Sequence, residues 1–210
     1  MTGSEDRRDG SDRSTSFDPS DLPIHDDTDS DSRSTTSEQK TGLSSSARRV
    51  STNAIPVTIA DYAVTDADVP LKTSGLGSCI GVAIHDEEAF VSGLLHFMLP
   101  KASQAHSGPH PEAKFADTGI EAMLSEFRDL GGDPTRSWAK GAGGATMIVF
   151  EKTKPSIGER NADALRRELE THDVSIVGTD FGGNHGRSLE FVPGRGTLTI
   201  TGADGTERTL

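Results

Sequence analysis

The apolar positions of this 210-residue chain lie almost entirely beyond residue 54, and there their period changes several times. In residues 55–64, β-branched residues such as Ile55, Val57 and Ile59 alternate with polar or small neighbours, which predicts a half-buried strand. Residues 69–73 predict a second short strand running into a turn at Gly75 and Gly77. Past Cys79, Ile80, Val82 and Ile84 alternate with Gly81, Ala83 and His85, giving a strand with one bulky and one small face that lets another layer approach closely. His85-Asp86-Glu87-Glu88 predicts a hairpin turn, and residues 89–99 the returning strand. A turn centred near Glu87 and Glu88 sets Cys79 opposite a residue near His96, because antiparallel strands pair inward from both ends.

The period then lengthens. Phe115, Ile120, Met123, Leu124, Phe127 and Leu130 fall at helical spacing, predicting one helix over residues 112–130 that ends at Gly131-Gly132. Ser156 and Glu159 make a capping-box pattern that opens a second helix reaching about His172, with Ile157, Leu165 and Leu169 inward. Between the helices, residues 138–150 read as a glycine-rich run followed by an apolar strand over 146–150. Residues 174–177, 188–192 and 196–200 predict further strands. Residues 101–111 have no period and read as a loop. Two main helices against roughly seven strands predict an α+β fold, an α/β sandwich of mixed or antiparallel strands.

Composition separates this domain, residues 55–210, from what precedes it. Residues 1–54 hold 20 Ser and Thr, 11 acidic and 7 basic residues and few large apolar ones, too little apolar surface to offset the entropy of ordering. A disordered tail is expected there. The whole chain has a formal charge of −12, which disfavours nucleic acid and anionic membrane surfaces as partners. With 5% aromatic residues, this acidity suits a high-salt cytoplasm. No basic start leads into an apolar run and no stretch is long enough to span a bilayer, so a cytoplasmic protein without membrane insertion is expected.

Cys79 is the single cysteine, so it is either a buried core residue or a reactive thiol. His96, an imidazole on an otherwise apolar strand, is the candidate partner that makes it a nucleophile. Gly75, Gly77 and Ser78 form the turn before the cysteine, where backbone N–H groups can converge on an oxyanion. Thr73 is a candidate to orient the imidazole, with Ser78 as competitor. His106 and His110 lack the cysteines of a structural zinc site, one cysteine cannot supply a zinc deaminase, and Gly75-x-Gly77 does not complete a dinucleotide-binding fingerprint. No metal or cofactor is expected.

Five ordered segments then resemble the CheD family of chemoreceptor glutamine deamidases. They are Thr73-Ser74-Gly75-Leu76-Gly77-Ser78-Cys79, the His96 segment from Gly93 to Pro100, Lys140-Gly141-Ala142-Gly143-Gly144-Ala145-Thr146-Met147, Ile157-Gly158 with Arg160-Asn161, and Asp180-x-Gly182-Gly183 with Gly186-Arg187. Ala142 departs from the phenylalanine often found in the family and removes no catalytic group. The resemblance implies a sandwich related to the deamidase domain of cytotoxic necrotizing factor toxins. It also implies Cys79 as nucleophile, His96 as general base and acid, and Thr73 as the group orienting His96. Its implied partners are methyl-accepting chemotaxis receptors as substrate and the phosphatase CheC as regulator, with methylesterase action on receptor glutamate esters as a second activity. The alternative is a binding module that regulates CheC with little catalysis of its own.

Overall fold

Side-chain alternation along each strand decides which layers it joins, and the result is two five-stranded sheets with both helices against one of them. The computed structural model describes residues 54–105, 108–146 and 155–210. The expected tail up to residue 53, His106, and residues 147–150 of the expected apolar strand lie outside the described residues. The first sheet has the order β1-β3-β8-β9-β10, from Ile55–Pro56, Leu71–Leu76, Arg187–Val192, Thr197–Gly202 and Glu207–Thr209. The second has the order β2-β5-β4-β6-β7, from Asp61–Thr65, Val91–Phe97, Ile80–Asp86, Trp138–Gly143 and Ser175–Phe181. Among the described strands only β1–β3 and β6–β7 pair in parallel, so the expected mixed α+β sandwich is what the chain forms.

β4 lies at the centre, buried on both faces. Its bulky residues Ile80, Val82 and Ile84 pack with Leu95 and Phe97 of β5 against the helices α1 (Ala116–Asp129) and α2 (Ile157–Thr171). Its small face meets the other sheet, where a Cβ on Gly81 would lie 2.4 Å from a methyl carbon of Leu189 and 3.4 Å from the Thr73 methyl. The absent side chain lets β3 and β8 close onto β4 and β5, which brings Thr73 within reach of His96.

Several boundaries differ from the sequence reading, each for a local reason. The segment 55–64 is two strands in different sheets, because the Asp61 carboxylate accepts from Thr58 N and Oγ1 and Ala60 turns at φ 58°. The helix expected from residue 112 starts with a 3-10 turn, Glu112–Lys114, and α1 begins only after Phe115, which is extended and bridges to Leu99. The glycine-rich run forms the second half of strand β6, which ends at Gly143. Ile157 is exposed, since the cap at Ser156 fixes α2 with Ala162, Leu165 and Leu169 inward instead. β10 was not foreseen.

The hairpin register also differs. Asp86 pairs with Val91 and Gly81 with His96, so Cys79 stands beyond Ile80, whose partner is Phe97. The four-residue loop 87–90 is centred one residue later than the sequence predicts, and every partner moves by two. Its cause is the fully buried Asp86 carboxylate, which accepts from Glu88 N and Ala89 N and pairs with Arg136 at 2.8 Å, extending the strand through residue 86. A shift of two preserves the face, so His96 still points between the sheets.

Candidate active site

Thr73 and His96 meet from β3 and β5, while Cys79 stands just before β4 and does not line the cleft they share. β3 supplies Thr73 just before a bulge at Ser74 and Gly75, where the pairing with β8 slips and Gly75 takes φ 77°. A bulge re-aims the strand, and here Thr73 Oγ1 lies 2.8 Å from His96 Nδ1, with both residues buried. Thr73, rather than Ser78, is therefore the hydroxyl on the imidazole. His96 Nε2 is buried and has no hydrogen-bond partner among the described residues, so Cys79 does not hold it in this structure. A cleft of about 710 Å³ is lined by Thr73, Ser74, Gly75 and His96, with Thr58, Ile59 and Glu190 among its walls.

The turn bearing Cys79 is fixed from behind by Gly143, the last residue of β6, and by Gly144 and Ala145 after it. Gly144 N donates to Cys79 O at 2.8 Å, and Ala145 N donates to Gly77 O at 2.8 Å. Gly143 and Gly144 have φ 123° and 67°, and a Cβ on Gly143 would sit 2.2 Å from Cys79 O. α2 then packs on this turn through Gly158, whose added Cβ would meet Gly144 O at 2.1 Å. Both obstacles are backbone, so Gly158→Ala should force α2 away from the turn. The expected cost is ~1–3 kcal/mol of stability, measurable by chemical denaturation against the parent chain.

Two further supports, Arg187 and Asn161, hold the framework around these residues. Arg187 is buried and donates to Asp180 Oδ1 at 2.8 Å, to Gly182 O at 2.5 Å and to Gly143 O at 3.4 Å, tying the β7–β8 loop to the end of β6. Asn161, fully buried on α2, donates to Ser78 O and Met98 O, each at 2.8 Å. Its sequence signal was available: Asn161, Leu165 and Leu169 form one row at a spacing of four, and an amide in an apolar row needs polar partners.

Burial also sets the charge state. It pushes the Cys79 thiol up from its ordinary value, opposed only by the residue's own backbone N–H. It lowers His96 from 6.5 to about 4. Near neutral pH the resting site therefore holds a thiol and a neutral imidazole. For Nε2 to accept a proton, Nδ1 must carry the hydrogen and donate it to Thr73 Oγ1. Among the described residues no group of three or more His, Cys, Asp or Glu is placed to hold a metal, and no helix is long and apolar enough to cross a membrane.

The chain matches the family described as CheD chemotactic sensory transduction over residues 98–202, a stretch that starts just past His96. It is 46% identical over 156 residues to a Haloarcula marismortui protein named probable chemoreceptor glutamine deamidase CheD, covering 74% of this chain and 89% of that one. A Desulforamulus reducens protein of the same name is 45% identical over 148 residues, 70% of this chain and 89% of the other. The Bacillus licheniformis chemoreceptor glutamine deamidase CheD is 39% identical over 151 residues, 71% of this chain and 90% of its own. With its fold and these relatives taken together, the chain belongs to the CheD family.

Proposed function

We propose that this protein deamidates glutamine side chains of methyl-accepting chemotaxis receptors, with Cys79 as nucleophile and His96 as general base and acid. The observation that carries the reading is the Thr73–His96 contact, which fixes one imidazole nitrogen and leaves the other buried and unpaired. An acceptor left without a partner away from water is costly, and a thiol or substrate proton relieves that cost. The relatives' names supply the substrate class.

His96 Nε2 takes the Cys79 proton as Sγ attacks the glutamine amide carbon, and backbone N–H groups of the Cys79 turn hold the oxyanion. The intermediate collapses when Nε2–H protonates the departing nitrogen, releasing ammonia and leaving a thioester. Water, deprotonated by Nε2, attacks that thioester, and Sγ leaves as the proton returns to it, giving glutamate. A glutamate methyl ester differs only in its leaving group, so methylesterase action belongs to the same proposal. The family resemblance adds CheC as a regulator that competes with the receptors for this protein. The test is mass spectrometry of purified receptor cytoplasmic fragments, in which deamidation adds about one mass unit per glutamine. No mass gain with the intact full chain would overturn the reading.

Thr73→Val tests the orienting contact, since it keeps the β-branched shape and removes the hydroxyl. Deamidation should slow by about 10–100-fold, with Thr73→Ser retaining most of the rate. Equal rates for the valine and serine variants would remove Thr73 from the mechanism.

A further inference from the structure

Three successive carbonyls of the nucleophile's turn are tied back, and one of the three ties is a side chain. Gly77 O and Cys79 O accept from Ala145 N and Gly144 N, while Ser78 O between them accepts from Asn161 Nδ2. In a trans peptide the N–H points opposite to the C=O, so the Ser78 and Cys79 N–H groups are turned away from these ties. Neither N–H has an acceptor on another residue among the described residues. The Cys79 N–H acts on its own sulfur, where it opposes the effect of burial on the thiol.

Asn161 joins this turn to the histidine strand. Its second acceptor, Met98 O, lies two residues past His96. Both partners are carbonyls, so only the NH2 end of the amide can face them. Its Oδ1 is buried without a partner among the described residues, a cost that an apolar residue in the same row would avoid. What the asparagine gains in exchange is the clamp.

We infer that Asn161 is a positioning residue: its amide locks the Ser78–Cys79 peptide to the strand end beyond His96 and so aims the Cys79 N–H at the oxyanion formed when the thiol attacks. The catalytic consequence rests on the deamidase reading, whereas the hold on the Cys79 turn does not. Main-chain ties at Gly77 and Cys79 cannot replace it, because each fixes a neighbouring peptide plane and leaves the Ser78 carbonyl free to rotate. Freed, that plane swings its N–H off the position where charge develops.

The experiment uses the full chain with Asn161→Ala, and Asn161→Ser where the alanine variant fails to fold. Two readouts are taken on whichever folds: kcat and KM on a receptor cytoplasmic fragment, and the pH dependence of Cys79 alkylation by iodoacetamide. The expected result is kcat lower by ~10²-fold with KM little changed, and an alkylation midpoint moved to higher pH, because the thiolate loses its aligned N–H. An unchanged alkylation midpoint in a folded variant overturns the inference, whether or not kcat falls. If the parent chain shows no deamidation the functional reading fails instead, and the alkylation midpoint still decides the role of Asn161.

Discussion

Cys79→Ala should abolish receptor deamidation, lowering the rate by at least ~10³-fold, because no other thiol exists in the chain and covalent catalysis fails without its nucleophile. The variant should fold: Cys79 is nearly buried among Leu76, Ala142 and Leu189, and loss of one sulfur leaves only a small cavity. Its turn is held through backbone carbonyls that the substitution does not touch. The measurement is the glutamine-to-glutamate mass gain on a receptor fragment, with thermal unfolding as the control for folding. A folded Cys79→Ala protein that still deamidates would refute the thiol mechanism. A folded, inactive one that still bound CheC would separate catalysis from partner binding, the alternative that the sequence leaves open.

The thiol's protonation state shapes a second expectation for this residue. An activated cysteine would react faster than a free thiol near neutral pH, yet burial raises the Cys79 thiol in the resting fold. Alkylation should therefore be slow at neutral pH and speed up in alkali. Activation then belongs to the encounter with substrate, when Nε2 of His96 takes the proton during attack.

What the sequence discloses is the set of chemical groups, and what it hides is how distant segments frame them. Thr73, Cys79 and His96 were legible because each is unusual for its place: a lone thiol after two glycines, an imidazole in an apolar strand, a hydroxyl at a strand end. Both helices were legible from their periodicity, and the capping box at Ser156 and Glu159 forms as its spacing predicts. The hairpin register was missed by two residues, since nothing local says that Asp86 is buried and bonded to Arg136, 50 residues away. The glycines at the end of β6 were legible as a run but not as a backing for the nucleophile. That role depends on Gly158 arriving from α2, a contact no local pattern encodes. Charge states were hidden for the same reason, because desolvation is set by the first sheet, β1-β3-β8-β9-β10, closing over β4 and β5.

His96 carries the other large effect, on both rate and stability. Its folded value of about 4 lies below the 6.5 of the free side chain, so the folded protein binds this proton less readily than the unfolded chain. The stability from keeping His96 neutral is present above about pH 6.5 and is lost as the pH falls toward 4, amounting to ~3 kcal/mol over that window. His96→Gln, which keeps an amide near Thr73 and removes the titration, should flatten the loss; denaturation of both proteins at pH 7, 5.5 and 4.5 measures it. The same depression governs catalysis. With the imidazole neutral down to about 4, kcat/KM should show no acid limb near 6.5, because the general base stays available well below that value. An acid limb at 6.5 would mean that His96 titrates as a solvated histidine, which contradicts its burial between the sheets. His96→Gln should meanwhile cost ~10²–10⁴ in kcat, since the amide can hold Thr73 but cannot take the proton from Cys79.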